Sequence, residues 1–454
     1  IFVTGVQALA RIPMVQRQRD VLEGLNTAGF ISGYRGSPVG GFDQQLWRAK
    51  KFLEQNHIRF QPGLNEDLAA SAIWGSQQTN LHEGGKYDGV FAIWYGKGPG
   101  VDRCGDVFKH GNMSGPAKHG GVLLIAGDDH AAKSSTVPHQ SEYAFMDASI
   151  PVLNPAGLQD IVDYGILGFA MSRFSGCWVA FKTTAENMDS SASIDVSPDR
   201  VKISLPKFDM PEGGLSIRWP DDWIEQEHRL HQYKLNAVRA FARQNKIDKT
   251  IINSQNPKLG VVTTGKSYLD VRQALEDLGI NEAKADKIGL RLYKVGMPWP
   301  LEPQGIDEFS QGLKEILVIE EKRPIIESQL KEHLYNHAPE NRPNVVGKYD
   351  DKGQFLQPAA GELSPSLIAK VIASRILQFS DDTAIREKLK FMQDKENGLI
   401  KPETDFARTP FFCSGCPHNT STKVPDGSRA TAGIGCHFMS VWMDRNTSTF
   451  THMG

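Results

Sequence analysis

Three thiols crowd the stretch from position 413 to position 436 of this chain of 454 residues. Cys413 and Cys416 stand at i and i+3 in Phe412-Cys413-Ser414-Gly415-Cys416-Pro417-His418, and Cys436 follows in Gly433-Ile434-Gly435-Cys436-His437. Two thiols at that spacing, with a glycine between them, can turn both sulfurs toward one metal. A third thiol from a later turn can complete a face. Thiolates suit iron–sulfur clusters or zinc. Three readings therefore stand: buried free cysteines, a structural zinc site built on Cys413, Cys416, Cys436 and His437, or a cluster with a fourth ligand further on. Spacing alone does not separate zinc from a cluster.

A second signal is a carboxylate at a helix start, in Gly63-Leu64-Asn65-Glu66-Asp67-Leu68-Ala69-Ala70. Ala69, Ala70 and Ile73 share a helical face with Glu66, so another molecule can approach it closely. The plainer reading is a first-turn glutamate favoured by the helix dipole. Two glycine-bearing segments each follow an apolar strand pattern. One is Ser32-Gly33-Tyr34-Arg35-Gly36-Ser37-Pro38, the other Gly96-Lys97-Gly98-Pro99-Gly100. Ligands gather at the carboxyl ends of strands in open α/β sheets, and glycines there let backbone approach them. The first segment equally fits a tight turn. The second matches neither a Walker loop nor a dinucleotide fingerprint. Asp128, Asp129, His130, Ser134, Ser135 and His139 read as a polar loop over the same pocket.

The elements that must hold these groups are those of a multidomain α/β protein. Apolar runs at Val90–Tyr95, Val122–Ala126 and Cys177–Phe181 fit buried parallel strands. A helix opened by Pro13 and stopped by Gly29 precedes a strand over Phe30–Tyr34, and helices are expected over 43–55 and 66–78. Repeated strand–helix units argue for a doubly wound domain. Serine, aspartate and proline accumulate over 186–220, which reads as a linker, followed by a charged helix over 222–244. A second α/β unit starts at Leu259. It has strands at 259–263, 288–295 and 316–320 and helices at 265–278 and 324–334. Mostly helix and loop fill 350–409, and a new domain starts at Phe411.

The bulk numbers exclude several classes. A formal net charge of -2 does not suit a nucleic-acid binder. A membrane helix needs roughly 20 apolar residues, and no run approaches that, so a cytoplasmic protein is expected. An odd count of five cysteines argues against a disulfide framework. Ile1 and the mid-motif end at Gly454 read as truncations.

Taken in order, these segments resemble the 2-oxoacid:ferredoxin oxidoreductase superfamily. They are the Gly-Tyr-x-Gly-Ser-Pro turn, the Asn-Glu-Asp helix start, the Lys-Gly-x-Gly loop, the Asp-Asp loop and Cys-x-Gly-Cys-Pro-His. The Cys-Pro-His form is most similar to the fused bacterial indolepyruvate enzymes. The resemblance implies a pyrimidine-type thiamine-diphosphate domain over 1–204, a linker and helix over 205–255, and a transketolase C-terminal-like domain over 256–349. A helical spacer over 350–408 and the start of a diphosphate-binding domain over 409–454 would follow. It implies that Glu66 hydrogen-bonds the cofactor's pyrimidine and that Ser37 takes the place of a pocket threonine. Gly36, Lys97, Gly98 and His418 would lie by the cofactor, and Asp129, His130, Ser135 and His139 by the substrate. Cys413, Cys416 and Cys436 would be three of four ligands of a [4Fe-4S] cluster. The magnesium motif and the fourth ligand are expected beyond residue 454. Gly127-Asp128-Asp129 with Asn154 imitates that motif, but the Asp129 side chain would crowd a phosphate. The implied activity is oxidative decarboxylation of an aryl 2-oxoacid such as indolepyruvate, with coenzyme A and ferredoxin as partners, in a homodimer of the full-length protein. A branched-chain or other 2-oxoacid is the nearer alternative, and a zinc-binding non-catalytic subunit the more distant one.

Overall fold

Residues 28–184 build one six-stranded parallel sheet, and the candidate residues sit on the loops leaving its carboxyl edge. The computed structural model describes residues 1–133, 137–398 and 408–450. The strands of the first unit are β1 (Phe2–Thr4), β2 (Ala28–Gly33), β3 (Ile58–Phe60), β4 (Val90–Lys97), β5 (Val122–Asp128), β6 (Val152–Leu153), β7 (Val179–Thr184) and β8 (Ser191–Ser193). The large sheet runs β3-β2-β4-β5-β7-β6, and β1 pairs with β8 in a separate antiparallel ribbon. The β4 and β5 strands are buried on both faces, which is why they read as unbroken apolar runs. After β2 the chain moves outward to β3, then returns past β2 to β4. The order therefore reverses between β2 and β4, where a ligand crevice opens in such sheets.

Several boundaries differ from the sequence pattern. The first helix spans Gly5–Leu22 with Pro13 inside it. Thr4 and Gln7 form a capping box that sets the start, with Gln7 N donating to Thr4 Oγ1 at 3.3 Å and Thr4 N to Gln7 Oε1 at 3.0 Å. The helix packs on the buried helix Leu158–Ser175, and Ile12 occupies the space that Gly165 leaves open. The stop is Gly24 at φ 78°, not Gly29, which lies within β2. The helix expected over 43–55 is two, Phe42–Arg48 and Lys50–Gln55. The strand expected over 177–181 starts at Val179, because Gly176 closes the preceding helix in the left-handed region.

The second unit holds β9 (Lys249–Ile252), β10 (Leu259–Thr264), β11 (Leu290–Val295), β12 (Glu315–Ile319) and β13 (Asn344–Val346), ordered β13-β12-β10-β11-β9 with only β9 antiparallel. Its extent corrects the expected 256–349. The β9 strand joins the sheet from the expected linker. The helix Pro365–Phe379, from the expected spacer, buries Ile368, Ala369, Ile372 and Ile376 in one core with Leu259 and Val261. Helical periodicity shows that such a segment is a helix but not which sheet receives it. A small unit with β14 (Ala430–Ala432) and β15 (Thr447–Phe450) follows.

The two large units join along β6. Val152 N donates to Trp299 O at 2.7 Å and Asn154 N to Gly296 O at 2.9 Å, while Lys294 pairs with Asp160 at 2.5 Å. The helix that follows the linker is tied to the first unit by Lys234, whose ammonium donates to Asn112 O and Met113 O at 3.1 and 2.8 Å. That places a cation at the carboxyl end of the helix Gly105–Ser114. Among the described residues no helix is long and apolar enough to cross a membrane.

Candidate functional site

Four loops converge at the switch between β2 and β4. Asn65 caps the helix Glu66–Gln77, its side chain accepting from Leu68 N at 2.9 Å, so Glu66 is the first helical residue after β3. Trp94 on β4 donates its indole N–H to the Glu66 carbonyl at 3.1 Å, fixing this turn against the sheet. The Glu66 side chain is only 13% exposed, and Arg103 lies 3.9 Å from Oε2. Across from the carboxylate is Gly100, where a methyl group would stand 2.5 Å from Glu66 Cγ. The first turn of the helix and Arg103 both place positive charge beside this carboxylate.

The loop after β2 meets the loop after β4 at Gly36. A methyl group there would lie 2.9 Å from Lys97 Cβ, and Tyr34 N donates to Tyr95 O at 3.0 Å. Ser37 follows directly, before Pro38. Burial lowers the Lys97 pKa from its ordinary value, and the charge of Asp129 opposes that shift. Gly98 passes so close to His139 that a methyl group would sit 2.3 Å from its Cγ. His139 Nε2 is 3.4 Å from Asp102, a contact that raises its pKa against the opposing effect of burial. Gly36, Lys97, Gly98, Asp129 and His139 thus form one neighbourhood, with Glu66 one helical turn away across Gly100. Ser134 and Ser135 lie outside the described residues.

The Asp-Asp loop divides. Asp128 is fully buried, accepting from Ser141 N and Oγ at 2.9 and 2.5 Å, with Lys182 at 3.4 Å. Lys182 also donates to Glu142 at 2.5 Å. Both Asp128 oxygens are therefore already engaged within the protein interior. His130 is buried, and neither of its ring nitrogens has a hydrogen-bond partner among the described residues. Burial first, then Lys182, holds its pKa well below the ordinary value, so the ring is neutral. It faces a polar cavity of about 20 Å³ shared with Glu142, Lys182, Lys266 and Glu321, at the junction of the two large units. Sequence reading missed Glu142, Lys182, Lys266 and Glu321. A lysine near the carboxyl end of the apolar strand Val179–Thr184 was the available signal.

The cysteine segment is a separate group. Cys413 and Cys436 are exposed and Cys416 is half-buried, all three as free thiols. Cys416 N donates to Cys413 O at 3.0 Å, closing the turn on which Gly415 takes φ 77°. Cys416 Sγ lies 3.3 Å from His418 Nδ1, and the His418 ring stacks on Phe412 and approaches His437 at 5.8 Å. The tetrahedral zinc alternative meets an obstacle here. Sulfurs on one zinc lie about 3.8 Å apart, and among the described residues these thiols form no three-ligand group within 4.8 Å. His437 Nδ1 is moreover taken by Gly433 N. His418 therefore neighbours the thiols, whereas Glu66 touches Gly100, Trp94 and Arg103 of the first unit. Cys104 and Cys177 are buried, and burial pushes their thiols up, Cys177 to about 11.

The first unit fits the pyrimidine half of thiamine diphosphate. It offers a recessed carboxylate at a helix start, a glycine that lets the Glu66 side chain pack against its backbone, and a position on the sheet's carboxyl edge at the switch.

Residues 248–401 match the family model described as the indolepyruvate ferredoxin oxidoreductase middle domain. The curated protein "Indolepyruvate oxidoreductase subunit IorA" of Pyrococcus horikoshii is 25% identical over 441 residues, covering 93% of this chain and 60% of that protein. Its counterpart in Methanothermobacter thermautotrophicus is 25% identical over 396 residues, covering 86% and 56%. The chain thus spans little more than half the length of these relatives. Among solved structures, a 2-oxoglutarate:ferredoxin oxidoreductase from Magnetococcus marinus shares the fold, with a TM-score of 0.53 at 14% identity, over 83% of this chain and 65% of that one.

Proposed function

We propose that this chain, similar to indolepyruvate oxidoreductase subunits and matching the indolepyruvate ferredoxin oxidoreductase middle domain, provides the pyrimidine-binding side of a thiamine-diphosphate site for oxidative decarboxylation of a 2-oxoacid. The single observation that carries this reading is the recessed Glu66 carboxylate at the carboxyl edge, facing Gly100. When bound, thiamine diphosphate supplies a carbon nucleophile and a sink for the electrons released as carbon dioxide leaves.

The chain's own residues prepare for that chemistry. Glu66 would hold a proton at the pyrimidine N1′, with the Arg103 guanidinium 3.9 Å from its Oε2. Gly36, Ser37 and Gly98 would lie beside the ring, the two glycines admitting Lys97 and His139 to the site, and Lys97 with Asp129 would set the charge beside it. His139, whose cationic form Asp102 favours, is suited to a substrate carboxylate. Cys413, Cys416 and Cys436 match the donor set of an iron–sulfur cluster that would pass electrons on to ferredoxin, with coenzyme A taking the acyl group. The indolepyruvate names of the curated relatives favour an aryl 2-oxoacid. Leu64 and Leu68 stand exposed beside Glu66, a surface suited to a second subunit.

The test is Glu66→Gln in the full-length protein, which keeps shape and burial and removes the acid. Decarboxylation measured by 2-oxoacid-dependent reduction of a viologen dye should nearly vanish, with the circular dichroism spectrum unchanged. Turnover within a few-fold of wild type rejects the role of Glu66.

A further inference from the structure

On the far side of the second unit, away from the residues discussed so far, two helices present a set of metal-ligand atoms to one point. His333 is in the helix Ile326–Leu334, and His337 follows one turn later. Tyr335 keeps helical dihedrals at φ -55° and ψ -40°, and His337 N donates to Leu334 O at 3.0 Å, so the turn continues and both imidazoles fall on one face. Their ring centroids are 5.3 Å apart. Opposite them, the helix Pro303–Ser310 presents Asp307. Its Oδ1 lies 2.6 Å from His333 Nε2 and 3.6 Å from His337 Nε2. One ligand atom from each residue falls within 4.8 Å of the other two, and no other such trio occurs among the described residues.

We propose that Asp307, His333 and His337 form a binding site for a divalent transition metal of the zinc class. Two imidazoles and a carboxylate are a borderline-soft donor set, suited to zinc and to its cobalt, nickel and copper analogues rather than to magnesium or calcium. Ligands at tetrahedral zinc lie about 3.4 Å apart. The His337–Asp307 separation already has that value to within a few tenths of an ångström. The His333–Asp307 pair is now a hydrogen bond, and the metal would replace its proton, the two atoms parting by roughly 0.8 Å. All three side chains are between 29% and 42% exposed, so that movement costs little and water can take the fourth position.

Rigid elements hold the backbone beneath the trio. Ile306 and Phe309 on one helix and Leu330 and Leu334 on the other are buried in the same apolar core. The ligands are thus carried by helices whose spacing is fixed by packing, which is what pre-organises a site. The metal would clip the two helices together on the outer face of the second sheet. An exposed histidine–aspartate ion pair without a metal role is the competing account, and such a surface pair contributes little to stability.

The experiment uses the full chain with Cys413, Cys416 and Cys436 all changed to serine, so that thiolates do not bind the probe. Zinc chloride alone is titrated by calorimetry, and cobalt by its visible bands. One equivalent should bind, and free zinc at 100 times the dissociation constant should favour the folded state by about a further 100-fold, seen as a rise in melting temperature. His337→Ala should weaken binding at least tenfold while the metal-free melting temperature stays put, because the imidazole is part-exposed and lies 3.6 Å from Asp307 Oδ1, beyond hydrogen-bond distance. Asp307→Asn, which keeps the shape and the hydrogen bond, should weaken it similarly. Unchanged stoichiometry and affinity in both variants, or no binding by the triple-serine chain, overturns the proposal.

Discussion

Replacing Gly100 by alanine separates the chemistry assigned to Glu66 from the stability of the fold. The glycine lies in the helix Gly98–Arg103 with an ordinary negative φ, so alanine strains nothing in the backbone. A helical glycine-to-alanine change stabilises by up to about 1 kcal/mol. The new methyl group would, however, sit 2.5 Å from Glu66 Cγ and 3.1 Å from Cδ. Carbons are comfortable at about 3.5 to 4.0 Å, so something must yield by about 1 Å. The crowded atoms belong to a side chain with free torsions, whereas the Glu66 backbone is held by Trp94 and by the Asn65 cap. The carboxylate is therefore what moves.

A displacement of about 1 Å in a positioned group costs on the order of 100-fold in rate. The expected result in the full-length protein is kcat/KM for 2-oxoacid-dependent viologen reduction lowered by about 100-fold, with a melting temperature equal to or above that of the wild type. In Glu66→Gln, already inactive, the same change should cost little more, because both act through one group. Wild-type activity in Gly100→Ala would refute the placement of the carboxylate. A fallen melting temperature would show that the backbone, not the side chain, had absorbed the clash.

Two stability predictions follow from buried charges. Lys182→Met should cost about 3–5 kcal/mol in urea unfolding, because it leaves Asp128 and Glu142 buried without their shared cation; a change under 1 kcal/mol would mean that the acids are already neutral. Asp248 is raised to about 7 by burial, against the two backbone N–H groups of Met297 and Gly296 that it accepts. Its raised value means that the fold prefers the protonated acid. That contribution is whole below about pH 4 and is lost as pH rises toward 7. Asp248→Asn should therefore flatten the fall in unfolding free energy between those values, and an unaltered slope would count against the shift.

What could be read from the sequence was chemistry tied to strand ends. Gly36, Ser37, Lys97 and Gly98 follow apolar runs, and an apolar run in a parallel sheet announces its own carboxyl end. Glu66 was legible for a similar reason, since an asparagine before two acids marks a helix start. Contacts made between distant segments were not. Nothing around Asp128 says that Ser141 and Lys182 will claim its oxygens, and nothing around Ile368 or Lys249 says that each belongs to the core or sheet of Leu259. Pro13 misled because a proline suits the start of a helix, and only the packing of the Gly5–Leu22 helix against the Leu158–Ser175 helix shows that it was accommodated inside. His333 and His337 carry an i, i+4 signal, but its third member, Asp307, comes from another helix.

The arrangement of the two large units bears on where a partner must stand. The second unit covers the β6 edge and the loops after β5 and β7, through Trp299, Gly296, Lys266 and Glu321. That side of the carboxyl edge is closed, with Lys182 paired to Glu142 and Lys266 to Glu321, while both His130 ring nitrogens have no partner among the described residues. The loops after β2 and β3 are covered by neither, and there Tyr34, Leu64 and Leu68 stand exposed at 41%, 87% and 53%. Single exposed apolar residues are ordinary, but three flanking a recessed carboxylate are not explained by this chain alone. If a second subunit seats there and completes the pocket, removing those side chains should loosen assembly and thiamine binding together while the melting temperature of the separate chain holds. Gel filtration and thiamine titration of Leu64→Ser/Leu68→Ser in the full-length protein would show it. Loss of thiamine binding with assembly intact would instead place the occupant of that surface within the cofactor itself.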